Sequence, residues 1–333
     1  MNRRFVSIAT IAGLACAAGA LANDSTAEKA AGGLVLRQSA DIDMVSEDLF
    51  VSPAQVRVHY VFRNRSARPV TTIVAFPMPD RELLYEMESE VSYPEDFHTM
   101  VDGRPVHMSV ERKAMVGGVD RSALLTSLHV PIAPPAGERA GVIADMIGRL
   151  PRADQQRLAR AGLIDAESFS APDGQILPAW TIKETWHWQQ TFPAGRNLDV
   201  AHSYTPGVGG TAGVPLASPE YRASADGRRA QAEFCTDRDF LASIDRMSQR
   251  AERQQGGYPM EQRLRYILTT GGNWRQPIGD FRMVVDKGHP NAIASFCGEG
   301  VRRLSPTQFE VRHRNWRPDR DLAVLIVSAE PRE

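Results

Sequence analysis

Charge of one sign is missing from this chain. Its 39 Lys and Arg against 40 Asp and Glu leave a formal net charge of −1, so no field points to nucleic acid or to an anionic membrane. Long apolar runs are missing too: beyond the first 22 residues no stretch is long and apolar enough to span a bilayer. The sequence contains no P-loop, no H-E-x-x-H and no G-x-S-x-G, so the common phosphate, zinc and serine-hydrolase signatures are absent. The eight histidines never fall at close metal-ligand spacing, and no repeat of fixed period appears. Lysine occurs only at Lys29, Lys113, Lys183 and Lys287; every other basic residue is arginine. Cysteine is scarce, with Cys16, Cys235 and Cys297 the full set, and none sits in a thiol-activating context.

What is present begins at the N-terminus. Arg3 and Arg4 precede the apolar, small-residue run from Phe5 to Gly19, and Ala20-Leu21-Ala22 fits the A-x-A cleavage rule. The pattern predicts a signal peptide over 1–22, a mature chain starting at Asn23, and a periplasmic or secreted location with no stable membrane insertion after cleavage. Export leaves Cys235 and Cys297 as an even pair in an oxidising compartment, which predicts one disulfide worth about 4 kcal/mol in the chain-entropy model.

Period-two alternation dominates the mature chain. Val56, Val58, Tyr60 and Phe62 share one face of a strand, with Arg57, His59 and Arg63 on the other. Asn64 to Pro69 offers turn chemistry, and Val70, Thr72, Val74 and Phe76 continue an apolar face, so 56–80 reads as a hairpin. Asp102-Gly103 marks a second, two-residue hairpin. The period changes near 119. Ile143 and Ile147 lie beside Val142, Met146 and Leu150 on one helical face, ended by Pro151, and "RADQQRLARAG" follows with Gly162 as its cap. Strands resume at Trp180, and Leu198, Val200, His202 and Tyr204 fall in phase on the return. Residues 205–232, rich in Gly, Pro, Ala and Ser, read as a long surface loop; Thr236 then opens a helix with Asp239 as capping partner. The last third alternates again, in "FRMVVDK", "QFEVRHR" and "LAVLIVS" among others.

The fold class expected is mainly β: one or two antiparallel β-sandwich-like units with a helical insertion and one further helix. The boundaries expected are 1–22 for the signal, 23–118 for an N-terminal β unit, 119–172 for the helical insertion and 173–333 for a C-terminal β-rich unit.

Candidate sites are few. Gly207, Gly209 and Ala212 satisfy a dinucleotide fingerprint only formally, because Pro215 and Pro219 stand where its helix would start. Asp41, Asp43, Glu47 and Asp48 form an acidic patch without the spacing of a calcium loop, and a solvated strand end is the expected reading. Glu95, Asp96 and His98 form another polar cluster. No metal site and no cofactor is expected. The candidate binding surface is an aromatic ridge of Trp180, Trp186 and Trp188 with Tyr204, open to two readings: an exposed platform for a sugar or partner segment, or the inner face of a sandwich.

Taken together, "GGLVLRQSADIDMVSEDLFVSPAQVRVHYVFRNRSARPVTTIVAFPMPD", "TFPAGRNLDVAHSYTP", "TTGGNWRQPIGDFRMVVDK" and "SFCGEG" resemble the bacterial domain-of-unknown-function family 4424 over nearly all the mature chain. That resemblance implies an exported bacterial protein and brings no catalytic residues. A shorter stretch, about 55–115, is similar to the vault/inter-alpha-trypsin domain in Asn64 to Ser66, Phe76 to Pro79 and Asp102 to Arg104, which implies a β-sandwich associated with protein interaction. Two functions follow as expectations: a non-enzymatic periplasmic protein binding an unknown protein or envelope component, or an extracytoplasmic hydrolase acting on glycan or peptide.

Overall fold

The computed structural model describes residues 23–30, 33–86, 96–135, 138–171, 174, 176–211, 213–254 and 259–329. The expected signal segment, Glu95 and Ala212 lie outside them. In chain order β1 (Ser25–Ala30), β2 (Gly33–Arg37), β3 (Ile42–Val51), β4 (Val56–Asn64), β5 (Val70–Pro77) and β6 (Arg81–Glu82) lead to the short helix α1 (Leu83–Glu86). Strands β7 (His98–Val101), β8 (Arg104–Pro105), β9 (Ser109–Val116) and β10 (Val119–Asp120) precede four helices, α2 (Ser122–Ser127), α3 (Gly141–Gly148), α4 (Arg152–Arg160) and α5 (Ala166–Ser170). Then come β11 (Thr181–Phe192), β12 (Asn197–Tyr204) and β13 (Gly209–Thr211), followed by α6 (Pro219–Ala223), α7 (Ala225–Glu233) and α8 (Arg238–Gln254). Strands β14 (Pro259–Tyr266), β15 (Ile278–Asp286), β16 (Ile293–Phe296), β17 (Arg302–Arg303), β18 (Gln308–Trp316) and β19 (Leu322–Ala329) close the chain.

These strands form three sheets. The largest has the order β17-β18-β15-β3-β4-β12-β7-β8, a second runs β10-β9-β11-β5-β1-β2 with β6 also on β11, and a third runs β13-β14-β19-β16. Every strand pairing among the described residues is antiparallel except β3 with β15. The fold is mainly β, as expected. The eight-stranded sheet takes β3, β4, β7 and β8 from before the helical segment and β12, β15, β17 and β18 from after it, so both parts of the chain share a sheet.

Burial follows the pleat. On β4 the side chains of Val56, Val58, Tyr60 and Phe62 are interior while Arg57 and His59 face solvent. They meet Val74 and Phe76 of β5, Trp188 of β11, and Tyr266 and Val324 of the four-stranded sheet in one core. The layers are therefore the eight-stranded sheet on one side and the inner faces of the two smaller sheets on the other. Ile143, Ile147 and Leu158 of the helical segment make a second cluster over Trp180 and Ile182 at one end of β11. Phe234, Phe240 and Ile244 make a third over Leu325 and Val327. The two-residue turn at Asp102-Gly103 joins Val101 to Arg104, and its φ values of 46° and 72° are those the turn type demands. Gly162, at φ 74°, ends α4 as expected, with the Leu163 amide donating to the Leu158 carbonyl.

Three local expectations are corrected. First, 56–80 is no hairpin: β4 pairs with β3 and β12, whereas β5 pairs with β1 and β11. The two strands lie in different sheets, and their apolar faces meet in one core. The connection crosses between sheets, and the buried Asn64 side chain holds it by donating to the carbonyls of Arg68 and Phe192 at 2.8 and 3.0 Å. Second, 205–232 contains β13, α6 and α7 rather than a loop. Ser218 before Pro219 caps α6 and Ser224 caps α7, through hydroxyls accepting from the Tyr221 and Gly227 amides. Third, the cap of α8 is Asp237, which accepts from the Phe240 amide at 2.7 Å, and not Thr236.

Candidate functional site

Of the acidic stretch, Asp41, just before β3, and Asp48 are exposed, as expected of a solvated strand end, whereas Asp43 and Glu47 are buried. Asp43 is nearly covered and accepts from Arg65 Nε at 2.6 Å and Arg275 Nε at 2.7 Å. Asp48 points outward to Arg282. Glu47 points into the core and is 1% exposed.

Glu47 belongs to a polar network at the centre of the sandwich. Asn23 Nδ2 donates to Glu47 Oε2 at 3.0 Å, Tyr60 donates to Asn23 Oδ1, and the Tyr60 and Tyr266 hydroxyls are 2.9 Å apart. His202, placed inward by the alternation of β12, has Nδ1 2.8 Å from Thr99 Oγ1 and Nε2 3.2 Å from both Asp24 oxygens. Burial pushes the Asp24 carboxyl up, more than the neighbouring His202 lowers it. Burial drives Glu47 up to about 8, with the Asn23 hydrogen bond opposing and the Asp24 charge adding to the rise. The same desolvation raises the Tyr60 and Tyr266 hydroxyls.

Thr99, His202 and Asp24 thus form a hydroxyl–imidazole–carboxylate chain, the constellation of nucleophilic hydrolases. Two facts separate it from a working one. In that template the nucleophile faces Nε2 and the carboxylate faces Nδ1; here the ring is reversed. All three side chains are also interior, at 2%, 2% and 0% exposure, so no acyl group can reach the hydroxyl. Sequence reading missed this network because its members lie far apart in the chain; Glu47, Tyr60 and the in-phase His202 are singled out there separately, with nothing to connect them.

The aromatic ridge is largely inside. Trp180 is 1% exposed and donates to the Ile132 carbonyl, while Trp188 and Tyr204 lie in the main core. Trp186 is half-buried and stacks on Phe97 at 5.2 Å between centroids. Trp180 packs in the helical cluster and the other three in the main core or against it, so the four do not form one open platform.

An accessible concavity lies on the opposite, solvent-facing side of the eight-stranded sheet. It has a volume of about 580 Å³ and spans six neighbouring strands, from β18 through β15, β3, β4 and β12 to β7. Alternation brings Asp48, Phe50, Arg57, His59, Ala201, Ser203, Arg282 and Gln308 to this face, with His98 and Met100 at the β7 side. The Arg57 side chain lies over the Phe50 ring at 4.7 Å and makes no hydrogen bond among the described residues. Arg282 bridges Asp48 and Glu310, and His59 meets Asp199 at 3.0 Å. Among the described residues no three His, Cys, Asp or Glu side chains gather closely enough to hold a metal ion.

Cys235, after α7, and Cys297, after β16, are joined in a disulfide, with Cα atoms 5.1 Å apart. No helix is long and apolar enough to cross a membrane among the described residues.

Comparison with solved structures gives distant likenesses. A crystal structure of a "putative nutrient binding protein" from Legionella pneumophila subsp. pneumophila str. Philadelphia 1 aligns over 92% of this chain and 70% of its own, at 15% identity and TM-score 0.44. An M1 zinc metallopeptidase from Deinococcus radiodurans aligns over 87% of this chain but only 43% of its own, at 10% identity and TM-score 0.27. No curated protein matches the chain. None of these matches carries the shorter vault/inter-alpha-trypsin resemblance. The family described as Domain of unknown function (DUF4424) matches over residues 22–325, and the chain belongs to that family.

Proposed function

We propose that the protein is an exported, non-enzymatic binding protein that takes an anionic ligand or partner segment on the open face of its eight-stranded sheet. The observation that carries this reading is the concavity across β18 to β7, whose volume of about 580 Å³ falls in the range of ligand sites. A donor not engaged by another side chain is Arg57, whose guanidinium carbon lies 4.7 Å from the centre of the Phe50 ring. Ser203 adds a hydroxyl to the lining, alongside Arg282 and Gln308, whose side chains are already engaged by Asp48, Glu310 and Asp286. The cleavage pattern at 20–22 and the oxidised cysteine pair support an extracytoplasmic setting. The hydrolase reading has only the interior Thr99–His202–Asp24 chain behind it, and that chain has no approach for a substrate.

The test is a titration of the mature protein with inorganic phosphate, a small dicarboxylate and an acidic peptide, read by amide shifts. Shifts centred on Ala201, Ser203 and Gln308 that vanish in Arg57→Ala support the reading; shifts spread over other faces, or unchanged in that variant, refute it. Cell fractionation of the full chain checks export separately.

A further inference from the structure

Asn23, Asp24 and Ser25 are fully buried between the layers, directly after the expected cleavage point. Thr270 Oγ1 donates to the Asn23 carbonyl at 2.6 Å and Trp274 Nε1 to the Asp24 carbonyl at 2.8 Å, so the chain is clamped there. Glu47 takes one hydrogen bond, from Asn23, on Oε2; its other oxygen, also buried, has no partner among the described residues. A buried carboxyl pays for the unpartnered oxygen as a lost hydrogen bond, and it cannot ionise there without the larger cost of an uncompensated buried charge. The groups bonded around it do not relieve this. Asn23 and Tyr60 are neutral, Asp24 is a second acid, and both Asp24 oxygens already face His202. The pocket holds two carboxyls, and its one basic side chain, His202, faces Asp24 and makes no hydrogen bond to Glu47.

We propose that the missing partner of Glu47 is the α-ammonium group of Asn23 itself, released by cleavage after Ala22, so that the core gains this ion pair only in the processed chain. The inference rests on the export reading above. Hydrolysis of the Ala22–Asn23 amide by a peptidase of the export route consumes one water and leaves a carboxylate on Ala22 and an amine, which takes up a proton, on Asn23. Before cleavage the Asn23 nitrogen is an uncharged amide with one N–H; afterwards it carries a full positive charge and three donors. Covalent geometry keeps that nitrogen within about 5 Å of its own Nδ2, which is itself 3.0 Å from Glu47. A cation there opposes the burial that holds Glu47 up to about 8 and restores the carboxylate. Processing and final packing are thereby coupled.

The experiment removes export from the question. A cytoplasmic fusion is cut to leave Asn23 as the first residue, and is compared with the same chain carrying a short Gly-Ser extension, each as wild type and as Glu47→Gln. The expected result is a melting temperature several degrees lower for the extended wild type, with that gap closed in the Glu47→Gln pair. An extended wild type that does not fold while extended Glu47→Gln does is the same result in stronger form. The Asn23 amine should also react with an acylating reagent roughly tenfold or more slowly in the native protein than in the unfolded one. Equal melting of the processed and extended chains, an equal gap with Glu47→Gln, or native-state labelling at the unfolded rate overturns the pair. Intact mass of the periplasmic protein reports the cleavage site independently: a start other than Asn23 overturns the processing step while leaving the fusion result to judge the pocket.

Discussion

Asp43 shows how a single residue ties the layers together. It sits on β3 with its carboxyl nearly covered, and burial alone would raise its proton affinity. Hydrogen bonds from Arg275 and Arg65 outweigh that and hold it below the usual carboxylate value. Asp43→Asn keeps the shape and removes the charge, and should lower unfolding free energy by about 2 kcal/mol in urea titration. Glu310 behaves alike: the Arg302 hydrogen bond, opposed by burial and aided by Arg282 and Arg312, takes it down to about 2. Both acids have folded values below their unfolded ones, so their contribution is complete above about pH 4.5 and is lost on acidification through the folded values. Stability measured from pH 5 to pH 2 should therefore fall, and fall less steeply in Asp43→Asn and Glu310→Gln; an unchanged slope would show that neither carboxylate is held. At the same scale, Trp188 is 4% exposed and Trp186 is half-buried. Trp188→Ala should cost about 3–5 kcal/mol and Trp186→Ala clearly less, measured by the same titration. The period of two put both on one strand face, but periodicity does not say what lies above that face.

Elements were legible where one strand or helix decides its own pattern. The inward face of β4, the Asp102-Gly103 turn, and the α3 and α4 pair with its glycine cap all follow from local rules. What local rules do not contain is pairing. A turn between two amphipathic strands is the same text whether they lie edge to edge or cross between layers, so β4 and β5 read as a hairpin and are a crossing. The "LAVLIVS" run of β19 is buried on both faces, its even positions in the main core and its odd positions under α8 and its neighbours. Its unbroken apolar text is the mark of such a strand. In 205–232 the small residues masked two helices whose serine caps were present in the letters. Gly227 is the reason those helices fit: a Cβ there would lie 1.8 Å from the Tyr221 carbonyl oxygen. Gly227→Ala must push α6 and α7 apart and should destabilise by about 3 kcal/mol, in spite of the better helix propensity of alanine. A gain in stability would mean that the two helices are not in contact as described.

Across the whole molecule, distant parts of the chain close on one another, and this is what the letters conceal most completely. The network from Asn23 through Glu47 and Tyr60 to Tyr266 joins residues more than 240 positions apart, and no spacing rule reaches that far. The disulfide also joins distant positions. Cys235 follows α7 and Cys297 follows β16, so the bridge fixes the helical layer of Phe234, Phe240 and Ile244 against the four-stranded sheet. With its cysteines 62 positions apart, its removal frees a loop whose closure entropy amounts to about 4 kcal/mol. Reduction by dithiothreitol, or Cys235→Ser with Cys297→Ser, should lower the urea midpoint by the corresponding amount, with a larger m-value because the unfolded chain expands. The loss should also be local at first. Amide exchange should quicken over 214–247 and β16 before it changes in β3, β4 and β12, whose contacts do not depend on the bridge. If the reduced protein unfolds at the same urea concentration, or all three sheets open together, the bridge is not what fastens the helices to the four-stranded sheet, and the apolar packing of Phe234 and Ile244 must hold that layer alone.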